Sequence, residues 1–560
     1  MKERRAPVCR RAFSTLTLTL LLVVTGCNLA PRYQTPKFIY PNGWGGKGMM
    51  VDALPAADVP RGKWWEVYED PLLNRMEEKL TLTNPDLQAA AEAFTQARDL
   101  ALESESQLYP QVAGGAHLSK NKGSLGRLFY SRRTSHGLEY ESNEAYSGAA
   151  SWEPDFWSYI RNTSHMQKNL AQASAADYAL LRLSLQAELA SDYIALRGFD
   201  AQLAVYADSI RYFRTAVEIT RLRQGGAIGA GLDVSRAENQ LYAALGAQSK
   251  LLAQRQVMEH AISVLVNTAP AAFHIKPLTS VKMPFRDVTI RPYLPSTLLQ
   301  RRPDIAMAER EMAAATRGVG VARAAFYPNF TFTAAGGFED GGFDLASMSR
   351  AFWRIAVQAV EPAFTGGLRR AALQRAWAQY RETVDSYRGV VLSAFQEVED
   401  ALSQTRLYRQ EQHQQHKAVE AAMRTQSMTM ALYTGGLSNY LDALVAQQDA
   451  LTARLVEVSA ETNQLRATVK LIRAMGGGWT DQDMPKVKQI DPIGPLQYTG
   501  LQHPRPVQDV PTETRAVAAA SGDLDGNWLT APALGSSGAQ PRSGLMGASR
   551  TAPAPGSAKD

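Results

Sequence analysis

Apolar residues recur at helical spacing through two long stretches without proline, 157–224 and 365–434. At 1.5 Å per residue, roughly 68 residues make a rod of about 100 Å, far longer than a compact domain needs. Along the second rod, Tyr380, Val384, Tyr387, Val391, Phe395, Val398 and Leu402 step by 4-3-4-4-3-4. That is close to an 11-residue repeat and predicts a straight or slightly right-handed stripe. A shorter helix follows each rod, at 232–267 and 438–475. In the latter, Leu441, Leu444, Gln448, Leu451, Leu455, Val458, Thr462, Leu465, Val469 and Ile472 alternate steps of three and four without a slip, the pattern of a coiled-coil seam. Periodicity alone suits an antiparallel hairpin in any long rod as well as the wall of a tube.

Ahead of each rod the period changes from helix to strand. Phe330 and Phe332 alternate with Thr331 and Thr333, and Trp353, Ile355, Val357 and Ala359 alternate with Arg354, Ala356 and Gln358. These place strands at about 328–337 and 351–360, with counterparts at 111–119 and 144–152 joined by a polar loop containing Arg127, Arg132, Arg133 and His136. One face can meet lipid and the other water, as can the two faces of a soluble hairpin. If the strands cross a membrane, four are too few: spanning barrels use eight or more, and an open sheet edge in lipid is forbidden. The chain must then oligomerise, with two, three or four copies all permitted by strand arithmetic.

The two halves share a plan, so the chain is an internal repeat. Tyr109-Pro110, Glu153-Pro154-Asp155-Phe156, Gly225-Gly226 and Leu232-Asp233 are answered by Tyr327-Pro328, Glu361-Pro362-Ala363-Phe364, Gly435-Gly436 and Leu441-Asp442. We divide the chain into 1–26, 27–64, a first repeat at 65–280, a second at 290–479, and a tail at 480–560 rich in Pro, Ala, Gly and Ser. The tail's composition predicts a disordered periplasmic segment.

The first 26 residues change the picture most. Lys2, Arg4, Arg5, Arg10 and Arg11 precede an apolar run from Leu16 to Val24 that ends in Thr25-Gly26-Cys27, a secretion signal too short to span a bilayer. Small residues before Cys27 mark a lipoprotein processing site, so Cys27 becomes the acylated first residue of 27–64. No intramolecular disulfide is then possible, because Cys9 leaves with the signal. The segment also removes five basic residues and one acidic one, lowering the net charge from +6 to +2, which gives no support to nucleic-acid binding. No stretch of 18 or more apolar residues follows, which argues against a helical inner-membrane protein.

These residues resemble the TolC-like outer membrane factors, specifically the lipoprotein branch often called OprM- or NodT-type. The matching motifs are Pro31-Arg32-Tyr33 with Pro36, Trp64-Trp65 with Asp70-Pro71-Leu72, and Asn84-Pro85-Asp86-Leu87. More specific are Leu294-Pro295-Ser296 with Leu298-Leu299, Arg301-Arg302-Pro303-Asp304-Ile305 with Ala308-Glu309, the stretch Gly320 to Pro328, and Gly476-Gly477-Gly478-Trp479. The resemblance covers about residues 20–480. It implies a mainly α fold with a transmembrane β-barrel: a homotrimer forming a 12-stranded outer-membrane β-barrel continued by a 12-helix periplasmic α-barrel. It further implies the exit duct of a tripartite efflux pump, lipid-anchored in the outer membrane of a Gram-negative bacterium. The partners are a periplasmic adaptor docking on the tips at Gly225, Gly226, Gly435 and Gly436, and an inner-membrane transporter, usually proton-driven. By the same resemblance Tyr433 matches the tyrosine of a periplasmic latch, Asp233 its carboxylate partner, and Asp442 a ring aspartate, while Val445 and Ser438 depart from some relatives. Three symmetry-related carboxylates in a narrow throat favour cations. Asp233 and Asp442 equally suit plain helix N-caps. Other departures are the first-half Glu153 to Ser158, which lacks the glycine commonly found after the aromatic pair, and the long tail.

No catalytic constellation appears: there is no Gly-x-Ser-x-Gly, His-Glu-x-x-His or phosphate loop, and Gly45-Gly46-Lys47-Gly48 reads as a linker. His413 and His416 lie one turn apart without a third metal ligand. No enzyme, metal or cofactor is expected beyond a covalent lipid on Cys27. The competing readings are the outlet of a type I protein secretion system and a structural or adaptor envelope lipoprotein without a pore. Substrate is illegible, since a duct needs no specific pocket.

Overall fold

The computed structural model describes residues 27–36, 44–45, 62–122, 140–286, 288, 290, 298–340 and 350–485. The signal segment, the loop residues Arg127, Arg132, Arg133 and His136, linker positions 46–48 and the tail beyond 485 lie outside them. A 3-10 turn at Trp64–Tyr68 and α1 (Pro71–Thr83) lead into two repeats built alike. The first comprises α2 (Pro85–Ser106), β1 (Gln111–Lys122), β2 (Tyr140–Trp152), α3 (Tyr159–Gly225) and α4 (Gly231–Leu265). The second comprises α5 (Pro303–Ala324), β3 (Asn329–Asp340), β4 (Ala351–Val360), α6 (Leu368–Thr434) and α7 (Tyr440–Ala474). Corresponding helices have equal lengths: 22 residues for α2 and α5, 67 for α3 and α6, and 35 for α4 and α7.

The Asp-Pro and Asn-Pro motifs explain themselves as helix starts. Asp70 accepts from the Leu72 and Leu73 amides, Asn84 accepts from those of Asp86 and Leu87, and each is followed by proline at the first helical position. In the second repeat Arg302 stands before Pro303 and has no oxygen to cap with. Its guanidinium instead forks onto Asp304 (2.6 and 3.0 Å) and reaches Glu397 on α6 (2.8 Å) and the Ala474 carbonyl ending α7 (2.9 Å). One motif position therefore caps a helix in one repeat and ties three helices together in the other.

The main core sits at mid-length of α3. There Trp64, Tyr68, Leu73, Met76 and Leu80 meet Leu189, Tyr193, Ile194, Leu196 and Phe213, the C-terminal end of α4, and Val458, Leu465 and Val469 of α7. Beside it runs a buried charge network. Asp200 receives Arg197 (2.9 Å) and Arg255 (2.6 Å), Arg255 also reaches Glu259 (2.8 Å), and the two arginines donate onward to the Lys276 and Ile275 carbonyls. Such a network stands in a low-dielectric interior because each charge is matched. It fastens the irregular segment after α4 to both long helices.

The four strands form one antiparallel sheet in the order β1-β2-β3-β4, so the two repeats meet along β2 and β3. Three strands differ from the expected spans. β1 continues to Lys122, β2 begins at Tyr140, and β3 runs to Asp340, because pairing with the neighbouring strand carries each past the residues where alternation is visible. The α7 seam also needs correction. Leu451, Val458, Thr462, Leu465, Val469 and Ile472 are buried, but towards the tip Leu441 and Gln448 are exposed and the buried row is Ala443, Ala446, Gln447 and Ala450. A straight helix drifts about 20° per heptad against a 3.5-residue repeat, so over this length the inward face slips by about one residue.

Candidate functional site

Register settles what the sheet presents. Partners across antiparallel strands share a face. One face carries Val112, Ala116 and Leu118 from β1, Tyr146, Ala150 and Trp152 from β2, Phe330, Phe332, Ala334 and Phe338 from β3, and Trp353, Ile355, Val357 and Ala359 from β4. The other is mostly polar or small, with Gln111, His117, Ser119, Ser147, Ser151, Thr331, Thr333, Glu339, Arg354 and Gln358, and Phe352 and Val360 as its large apolar members on β4. The apolar face is uncovered, with Trp353 80% and Ile355 73% exposed. Strands of 10 to 13 residues match the 9 to 11 tilted residues that span a hydrocarbon core. β1 and β4 each pair on one side only.

Cys27 is exposed at the base of this sheet. The Leu29 carbonyl accepts from Arg323 in the last turn of α5 (3.1 Å), and Asn28 accepts from Asn162 in the first turn of α3 (3.2 Å). A Cβ at Gly320 would stand 2.7 Å from the Ala30 Cβ, so glycine there lets the N-terminal segment lie against α5.

The opposite ends of the rods form two turns. Gly225 ends α3 and Gly226 follows it, while Gly435 and Gly436 lie between α6 and α7. The Gly-Gly correspondence is off by one. Hydrogen bonds equate Gly226 with Gly435, whose amides donate to Leu222 and Ala431, and Ile228 with Leu437, whose amides donate to Arg223 and Leu432. The left-handed position closing each turn is thus Gly436 (φ 78°) in the second repeat and Ala227 (φ 59°) in the first. The same equivalence pairs Arg223 with Leu432 and Gln224 with Tyr433.

Neither Asp233 nor Asp442 is an N-cap. Ala230 and Asn439 occupy those positions, and only Asn439 caps, accepting from the Asp442 amide (3.0 Å). Both aspartates stand in the first turn, where the helix dipole favours a carboxylate. Asp442 is exposed and accepts from Ser438 (2.8 Å); Asp233 pairs with Arg236 (3.7 Å). Tyr433 packs with Tyr440, Ala216, Val217, Ala237 and Ala443, its ring 5.3 Å from that of Tyr440. Burial raises the Tyr433 hydroxyl above the usual range, with Arg223 opposing and Asp233 adding, and burial pushes Tyr440 up to about 12. The structure therefore brings Tyr433 and Asp233 to one cluster without joining them by a hydrogen bond. Arg223, which sequence reasoning missed, makes the direct contact with Tyr433.

His416 pairs with Glu457 (2.6 Å) and Glu420 (3.6 Å) and so ties α6 to α7; the Glu457 hydrogen bond raises its pKa. Among the described residues no group of three or more His, Cys, Asp or Glu is placed to hold a metal. No described helix is long and apolar enough to cross a membrane.

Comparison with known proteins agrees with this geometry. The profile of the outer membrane efflux protein family matches residues 78–268 and 294–477. The pyoverdine export outer membrane protein OpmQ of Pseudomonas putida is 28% identical over 82% of this chain and 97% of its own length. The outer membrane protein OprJ of Pseudomonas aeruginosa is 26% identical over 84% and 97%. Among solved structures, the outer-membrane channel OprN superposes with a TM-score of 0.72 at 27% identity, covering 81% of this chain and all of that one. VceC of Vibrio cholerae shares the fold, with a TM-score of 0.70 at 24% identity over 75% of this chain and 99% of that one. The chain belongs to the outer membrane efflux protein family, and it is an outer-membrane channel of that family rather than an enzyme.

Proposed function

We propose that three copies of the chain close their four-stranded sheets into one 12-stranded barrel through the outer membrane, and that α3, α4, α6 and α7 of each copy continue it as a 12-helix tube. The observation that carries this reading is a sheet with one face apolar over most of its length, Lys120, Glu144 and Asp340 standing only at one end of it, and with both edges unpaired. Unpaired edges are not tolerated in lipid, and a neighbouring copy supplies the missing partner on each side. The duct receives its cargo from an adaptor docked at the turns around Gly225, Gly226, Gly435 and Gly436 and from an inner-membrane transporter. Relatives of similar identity are named for pyoverdine export and for toluene and antibiotic efflux. That spread supports a duct whose cargo is chosen by its pump.

Cys27 carries the lipid anchor, since its segment is held against the ends of α3 and α5 that adjoin the sheet. Tyr433, Asp233 and Asp442 form the gate at the far end, with Asp442 supplying one carboxylate per copy to the throat. The mature protein in mild detergent is expected to have the mass of three chains and to conduct in planar bilayers. A monomer, or a trimer that passes no current even as the Tyr433→Ala variant, refutes the barrel. Metabolic labelling with palmitate should mark the wild type and not Cys27→Ser.

A further inference from the structure

We infer that Arg223, in the last turn of α3, is the residue that holds the α6 tip closed, gripping Tyr433 by its ring and backbone carbonyl rather than by its hydroxyl. This rests on the gate reading above and deepens it. Arg223 Nη1 donates to the Tyr433 carbonyl at 2.6 Å, and the guanidinium carbon lies 4.7 Å from the centroid of the Tyr433 ring. A cation over an aromatic face and a charge-assisted hydrogen bond reinforce each other when one planar group makes both. Tyr433 also packs against Tyr440, ring centroids 5.3 Å apart, and the residue is 3% exposed.

The helix end explains why an arginine belongs there. The last carbonyls of a helix lack intrahelical donors and carry the negative end of its dipole. α6 has no basic residue in its own last turn, whereas α3 has Arg223 in its last turn. The Tyr433 carbonyl already accepts from the Gly436 amide at 3.0 Å, and Arg223 takes its second lone pair. The positive group that α6 lacks is thus supplied across the helix pair by α3.

The repeat makes the device one-way. The positions equivalent to Arg223 and Tyr433 are Leu432 and Gln224, so α6 has no arginine with which to hold the α3 tip. Asp233, the acid beside the pair, is engaged by Arg236 instead of by Tyr433. The α6–α7 hairpin is therefore the member restrained by α3, and at the end of α6 the Arg223 contact is the polar tie that restrains it.

The test uses the mature trimer in planar bilayers, with thermal melting of each variant to confirm assembly. Arg223→Gln and Tyr433→Ala should each raise the resting current several-fold, and the double variant should match the larger single change. Tyr433→Phe, which keeps ring and carbonyl, should raise it less than Arg223→Gln does. If Arg223→Gln conducts like the wild type while Tyr433→Ala or Asp233→Ala opens the channel, the gate stands and the arginine grip is wrong. If Tyr433→Phe matches or exceeds Arg223→Gln, the hydroxyl is the handle and the grip is again wrong. If no tip variant changes a wild-type current that already fits an open cylinder, the gate itself is refuted.

Discussion

α3 and α6 have the same length and the same place in their repeats, yet thirty residues of α3 are buried and only seven of α6. α3 is packed along its length by α1, α2, α4, α5 and α7, whereas α6 leans mainly on α5 and α7 and meets α3 at the tip. Exposure has not made α6 uniformly polar: Leu392, Leu407, Met423 and Met428 stand out from it, and Tyr242, Leu252 and Val257 stand out from α4. On the proposed trimer these are side chains that a neighbouring copy would cover. The first half thus builds most of the core of the chain, while the second leaves its long helix largely open.

The sharpest way to break this comparison is to exchange the kinds of damage. Leu196→Ala on α3, at a fully buried site, should cost about 2–5 kcal/mol of fold stability by denaturant melting. Leu392→Glu combined with Leu407→Glu on α6 should leave the fold of the single chain intact but abolish the trimer by native mass measurement; a stable trimer would show that α6 faces solvent. Next in size is the pore. Asp442→Asn removes one carboxylate per copy and should lower the cation-to-anion permeability ratio in bilayers several-fold, most clearly at low salt.

The tips offer a smaller contrast. Ala227 and Gly436 hold equivalent left-handed positions, so Ala227→Gly should stabilise the first tip and Gly436→Ala destabilise the second, each by about 1 kcal/mol, read from hydrogen exchange at the two turns. Smallest is a pH effect confined to α3. Burial, with Glu188 adding and Arg466 opposing, raises Asp192 to about 6. A carboxyl whose folded pKa exceeds its unfolded value contributes stability below the ordinary range and loses it as pH rises through about 6. Asp192→Asn should accordingly raise the melting temperature by a few degrees at pH 7 and hardly at all at pH 4. Asp385→Asn on α6 removes only a surface pairing with Arg388 and should do little at either pH.

Much of the architecture was legible because it repeats simple periods. The proline-free rods and the alternation of Trp353, Ile355 and Val357 announce their elements locally. The gate was less legible. Tyr433, Asp233 and Asp442 are named by resemblance, and the structure sets Tyr433 and Asp233 near one another, but Arg223 stood outside that resemblance. Its partner lies 210 residues away, and the tempting Gly-Gly alignment obscured that Arg223 and Leu432 occupy equivalent positions. The sequence signal for it is a basic residue ending one rod set against none ending the other.

The sequence alone determined the helices, the strands and the internal repeat, since each depends on residues close along the chain whose period or capping chemistry is read directly. Tertiary structure decided which face of each rod is covered, where the left-handed turn position falls, and that Arg302 and Arg223 act across helices. Those outcomes depend on which distant segments meet, and packing selects among partners that local periodicity leaves equivalent.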